Sequence, residues 1–369
     1  MSDSASASQP QHPSAPTSRA PKNTARIGTI AGFIAMLITL AAVILPTPYI
    51  VESPGPTFNT IGAVGEDEVI TIDGAETYPA EGNLDLTTVR VQGPPTGATS
   101  AMSVLASWVD DSRAVIPSEL VYPSGTTSDQ VQEQNSVAMS TSQEWAVAAA
   151  LENLDIDYRQ ELFVTGFAAE TQAEGVLEPE DQLLAANGEE ITGLEGLKNV
   201  LNASEGEPVT LSIERDGQRQ DIEVPVFEGP DDTWLLGIYL DSSFEFPFEV
   251  DIVLEDIGGP SAGMMFALGT IDLLTPGSMT GGVHVAGTGT IDPDGTVGPI
   301  GGIVQKVHGA QAEGAEIFLA PAENCEELTS QVPEGITVYS VEDLDSARSI
   351  VEAAGRGEPP EPELQTTCG

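Results

Sequence analysis

The stretch "DIGGPSAGMMFALG", Asp256 to Gly269, decides how this chain is read. A Gly-Gly-Pro run stops on a serine, and a long uncharged apolar segment follows. Gly258 and Gly259 let the backbone turn tightly or take a positive φ. Pro260 suits the first turn of a helix, where its missing N–H costs nothing. Ser261 then stands among unpaired amides at the positive end of a helix macrodipole, a place that stabilises an alkoxide or an oxyanion. An ordinary helix cap occupies the same kind of place. Only a partner base separates the two readings.

The choice of base is narrow. Of 369 residues, 12 are Lys or Arg and 58 are Asp or Glu, a formal net charge of -46. Such a chain repels nucleic acid and anionic membrane surfaces, so nucleic acid is not an expected partner. The lysines are Lys22, Lys198 and Lys306; the histidines are His12, His284 and His308. "GPSAG" fits the G-x-S-x-G elbow, which is followed by an acid and then a histidine, so an esterase using His308 or His284 is one reading. The strand–elbow–helix of a large parallel sheet is not visible around it.

Lys306 is the alternative. A lysine base must be neutral near the working pH, which burial and distance from carboxylates bring about. No Asp or Glu lies between Asp294 and Glu313, nor between Asp256 and Asp272. Burial in an ordinary core leaves the same gaps, so these windows support the lysine without deciding for it. Cys325 and Cys368 have neither zinc spacing nor a CxxC pattern, and no metal or cofactor is expected. They are either free thiols or one disulfide, worth about 4 kcal/mol in the chain-entropy model.

Along the chain, residues 1–26 are rich in Ser, Pro, Ala and Gln and read as a disordered tail. Ile27 to Leu45 is uncharged and close to the roughly 20 residues that span a bilayer. Arg19, Lys22 and Arg26 precede it, and no Lys or Arg follows until Arg90. By the positive-inside rule this predicts one transmembrane helix, 27–45, with the N-terminus cytoplasmic and the main domains outside. Pro48, Pro54 and Pro56 suggest an extended stalk within 46–79. "EVITID" and "LDLTTVRV" read as strands, and 125–154 as one or two helices with Ser140 a candidate cap. Later, "IVQKVHGAQAEG" reads as a helix, "EIFLAP" as a buried strand, and 356–369 as a polar tail.

Two resemblances organise the rest. "EGVLEPEDQLLAANGEEI" (Glu174–Ile191) and "RDG" (Arg215–Gly217) are similar to the core of a PDZ domain of bacterial proteases, here 158–228. Glu180 stands where that family usually has glycine. The resemblance implies a groove between "LFVTGF" (Leu162–Phe167) and the helix near Leu197 that takes a peptide end as an added strand. "GGPSAG", "MTG" (Met279–Gly281), "GPIGGIVQK" (Gly298–Lys306) and "GAEIFLAP" (Gly314–Pro321), in that order, resemble the proteolytic domain of the Lon family. The nearest pattern is its membrane-anchored, PDZ-containing branch.

That second resemblance implies Ser261 as nucleophile, Lys306 as general base, and Thr280 holding the lysine. Backbone amides at Ser261 and Ala262 would bind the oxyanion. Gly258 departs from Lon enzymes that have Asp three residues before the serine. "LDLTTV" and "MSTSQEWAVAAA" resemble the first strand and helix of the same domain. The implied fold is α+β: a Lon-type domain in two parts, 80–154 and 233–355, with the PDZ unit inserted. Nothing matches a Walker A loop, so ATP-independent cleavage of unfolded or accessible polypeptides is expected. A homo-oligomer is implied by resemblance alone. The rival from another class is an inactive surface adaptor that binds peptide ends.

Overall fold

The computed structural model describes residues 22–65, 67–169, 171–229, 233–254 and 257–368. The expected tail, apart from Lys22 to Arg26, lies outside the described residues, as does Asp256. The N-terminal part contains helix α1 (Lys22–Ile44), strands β1 (Tyr49–Asn59), β2 (Ile70–Asp73), β3 (Asn83–Gln92) and β4 (Ala114–Pro117), and helix α2 (Ser128–Asn153). The middle contains β5 (Arg159–Phe167), β6 (Gln182–Ala186), helix α3 (Leu194–Ala203), β7 (Val209–Arg215), β8 (Gln218–Val224) and β9 (Ile238–Glu245). The C-terminal part contains β10 (Glu249–Ile252), helix α4 (Gly263–Leu274), β11 (His284–Gly287), β12 (Thr290–Ile291) and β13 (Val297–Gly298). It ends with helix α5 (Ile303–Ala312), β14 (Ile317–Pro321), β15 (Thr337–Val341) and helix α6 (Leu344–Gly355).

One six-stranded sheet joins the two ends of the chain in the order β15-β14-β11-β3-β1-β4. β3, β11, β14 and β15 run parallel, and β1 lies antiparallel between β3 and β4. Alternation along the parallel strands fixes the two layers. Val285, Leu319 and Val341 join a core with α2, α4 and α6 on one face. Ala286, Phe318, Ala320 and Val338 join α5 on the other. The middle unit is thus an insertion between the two halves of one sheet.

The boundaries shift from expectation in three places. The expected stalk is not free-standing: Tyr49–Asn59 is a strand inside the sheet, paired with both β3 and β4. Its prolines are tolerated because the register slips between Pro54 and Thr57, where no ladder donor is needed. The C-terminal tail folds back: Thr367 pairs with Tyr339, and a disulfide joins Cys325 to Cys368. Ile27–Leu45 lies almost wholly in α1, with Ile27, Phe33, Leu37 and Leu40 exposed. Among the described residues no helix is long and apolar enough to cross a membrane, so the expected transmembrane span is not found.

The inserted unit is an antiparallel sheet, β8-β7-β6-β5-β9, over a core of Leu162, Leu183, Leu197, Leu211 and Ile213. Asp216 and Gly217 both take positive φ in the two-residue turn between β7 and β8. Glu180 takes the left-handed conformation that glycine would supply, φ 74°. Beside it the buried Asp181 is held by Arg215 Nε and Nη2, each at 2.6 Å. "LFVTGF" is not a free edge: β9 pairs with β5 over its whole length, from Ile238↔Phe167 to Glu245↔Arg159. The sheet therefore runs past 228 to Glu245, with β8 and β9 as its edge strands. The sequence pattern missed this because β9 is separated from the rest of the unit by the loop after β8.

Candidate active site

Ser261 lies just ahead of α4, whose N-cap is Ala262 with no side-chain cap. The serine is not serving as a cap. Its turn is clamped from two sides. From α2, Asn135 O accepts the Gly259 N–H at 2.9 Å, and Ser142 Oγ donates to Pro260 O at 2.9 Å. From beyond β11, Gly289 N–H and Thr288 Oγ1 both donate to Ser261 O, at 2.9 and 2.8 Å. Gly263 permits the close approach, because a β-carbon there would sit 2.6 Å from Ile291 Cγ2 and 2.8 Å from Ser142 Oγ. α2 itself is one helix, capped by Thr127 and Gln130 in a reciprocal box, with Ser140 in its interior.

Lys306 comes from the opposite face of the sheet. It is 2% exposed on α5, and its Nζ lies 2.7 Å from Ser261 Oγ. The same Nζ donates to Thr288 Oγ1 at 2.8 Å. Thr288 follows the C-terminal end of β11, where the two helical layers can meet around the edge of a parallel strand. Its hydroxyl proton is engaged by Ser261 O, so toward the lysine it can only accept. A neutral amine has two N–H bonds and one lone pair. With one N–H directed to Thr288, the lone pair is free to face Ser261 Oγ.

Thr280 does not hold the lysine. Its Oγ1 donates to Glu81 O, and it sits in a turn before β11, followed by the positive-φ residues Gly281 and Gly282. Thr288 takes the place expected of it. The signal available in the sequence was position: Thr288 directly follows the apolar strand "HVAG", whereas "MTG" precedes it.

Burial pushes the Lys306 ammonium down to about 7 from its ordinary 10.5, and Glu52 opposes that shift. The carboxylate belongs to β1, far away in sequence, so the acid-free windows around Ser261 and Lys306 are not acid-free in space. Among the described residues, the Ser261 and Ala262 amides donate to no protein acceptor, leaving them available to an oxyanion. Neither His308 nor His284 hydrogen-bonds Ser261; His284 Nε2 instead meets Asp85 Oδ2 at 2.8 Å. No group of metal-binding side chains occurs among the described residues. A groove of about 690 Å³ leads to Gly258, between α2 and residues 252–254 and 257, with Asn135, Met139, Gln143 and Leu254 in its walls.

Comparison with known proteins bears on both units. Residues 256–353 match the Lon protease (S16) C-terminal proteolytic domain, and residues 160–226 match a PDZ domain. Lon protease 1 of Sorangium cellulosum is 38% identical over 92 residues, covering 24% of this chain and 11% of that protein. Lon protease 2 of Bacillus subtilis is 37% identical over 87 residues, covering 23% of this chain and 15% of that protein. The chain thus spans a small fraction of these relatives' length. The PDZ domain of an SdrC-like protein from Listeria monocytogenes is similar at 15% identity and a TM-score of 0.20, covering 21% of this chain and 85% of that one. The chain carries a Lon protease C-terminal proteolytic domain and a PDZ domain.

Proposed function

We propose that this chain is an ATP-independent serine endopeptidase that works by a Ser261–Lys306 dyad. The observation that carries the reading is the 2.7 Å approach of the Nζ of a buried Lys306, its ammonium pushed down to about 7 by burial, to Ser261 Oγ. Lys306 takes the hydroxyl proton as Ser261 Oγ attacks the scissile carbonyl. The carbonyl oxygen becomes an oxyanion held by the Ser261 and Ala262 amides. The lysine ammonium then gives its proton to the departing amine. Water, deprotonated by Lys306, hydrolyses the acyl-enzyme and regenerates Ser261. Thr288 keeps the amine oriented through both steps.

The open groove beside Gly258 suits an extended chain, so the substrate is an unfolded or locally accessible polypeptide. The PDZ unit selects peptide ends, which would add as a strand on the exposed edge β9. The exposed apolar surface of α1 supports a location at a membrane, with α1 seated in lipid and the folded body outside the cytoplasm. Removal of residues 1–45 should then move the protein from the membrane to the soluble fraction. The catalytic reading is tested with a serine-directed fluorophosphonate: the native chain should label, and Ser261→Ala and Lys306→Met should not. Equal labelling of Ser261→Ala would refute it.

A further inference from the structure

Glu52 is a half-buried carboxylate in the middle of β1, between the buried Ile50 and Val51 and the bulge at Pro54. Among the described residues its side chain has no hydrogen-bond or ion-pair partner, and its oxygens are not sealed from solvent. The carboxylate lies against the start of α5. Gly302, the N-cap, takes a left-handed φ of 70° and supplies no side-chain cap. A β-carbon on Gly302 would sit 3.6 Å from Glu52 Oε2. A negative charge at a helix N-terminus is favourable, and this helix has no acid of its own in its first turn. One turn further on, the Lys306 N–H bonds to Gly302 O, so the same turn that receives the carboxylate positions the lysine.

We propose that Glu52 is a positioning residue of the Ser261–Lys306 pair, its carboxylate held on β1 against the first turn of α5, the turn that carries the lysine. The proposal rests on the dyad reading. Its electrostatics follow from the neighbours of α5, which packs against β1, β3, β11, β14 and the 3-10 segment Ala322–Leu328. These bring Glu52, Asp85, Arg90, His284, Glu323, Glu326 and Glu327 to the vicinity, and α5 itself adds His308. Burial disfavours the Lys306 ammonium, and the Glu52 charge favours it. Burial raises Glu52 above the usual carboxylate value, Lys306 lowers it, and Glu327 raises it again. Tyr122 is the other group that feels Glu52. Burial thus makes the lysine a base, and Glu52 limits how far that goes.

The test exploits the three lysines of the chain. Uniform ¹³C-lysine labelling of the full chain gives three side-chain signals, and Lys306→Met identifies the one that matters. In Glu52→Gln the Lys306 titration should move about 0.5–1 pH unit toward acid. The acid limb of kcat/KM for peptide cleavage should move with it, making the variant about 3–5-fold faster than the native chain at pH 6. Glu52→Asp, which keeps the charge, should stay within about 0.3 unit of native. An unmoved Lys306 titration in Glu52→Gln, or a uniform fall in kcat at every pH, would overturn the proposal. Failure of the dyad reading is seen separately, as cleavage that survives Ser261→Ala.

Discussion

At the residue scale, one hydroxyl sorts the site. Thr288 spends its proton on Ser261 O and receives the amine of Lys306, so it fixes where the lysine lone pair points. Thr288→Val should lower kcat for peptide cleavage by about 10–100-fold with KM nearly unchanged, the loss of one hydrogen bond to a group that is charged in the reaction. Thr280→Val should leave kcat within about 3-fold of native, since its hydroxyl serves Glu81 O and touches neither dyad member.

Lys306 also carries a stability signature. Its folded value near 7 lies below the unfolded 10.5, so between those pH values the unfolded chain binds the extra proton. Stability from this group is then lowest at and below pH 7 and recovers as pH rises toward 10.5. Lys306→Met should therefore be more stable than native at pH 7, by about 2–5 kcal/mol, with the difference shrinking toward pH 10. Denaturant melts at pH 7 and pH 10 measure it. A constant difference across that range would mean the lysine is charged when folded.

At the scale of elements, helix α2 and the turn before α4 form one unit. Gly263 lets them touch, and Gly263→Ala places a methyl against Ile291 and Ser142. The expected cost is about 1–3 kcal/mol in thermal or denaturant unfolding, together with lower activity from a displaced Ser261. This contact also marks what the sequence could reveal. Ser261, Lys306 and the helices that bear them stood out because rare residue types sat in local motifs. The two-residue turn at Asp216-Gly217 stood out because it needs two left-handed residues in succession. Thr288, Glu52 and β9 did not stand out. Each acts across the sheet on a partner distant in sequence, and periodicity carries no information about which strands become neighbours. The prolines of β1 misled for a related reason: a bulge absorbs them only once β3 is in place.

At the scale of the molecule, the chain closes on itself. The sheet is assembled from both sides of the inserted PDZ unit, and Cys325–Cys368 pins the end of the chain to the α5 face. Replacing both cysteines with serine should cost about 4 kcal/mol if the bond acts by restricting the unfolded chain. Chemical unfolding with and without reductant should give the same difference in the native chain and none in the double variant. The free edge of β9 gives the insertion a role separable from catalysis. Proline in place of Ser242, whose N–H turns away from β5 to Asp241 Oδ1, should weaken capture of peptide ends while leaving fluorophosphonate labelling of Ser261 intact.

The central claim is that Ser261 and Lys306 together cleave polypeptides without nucleotide. The most direct measurement incubates the full chain with an unfolded protein such as casein in the absence of ATP, beside Ser261→Ala and Lys306→Met verified as folded. The native chain should cleave, and both variants should lose at least about 10³-fold of that activity. Cleavage by either variant at the native rate, or a native chain that cleaves only when ATP is added, would contradict it.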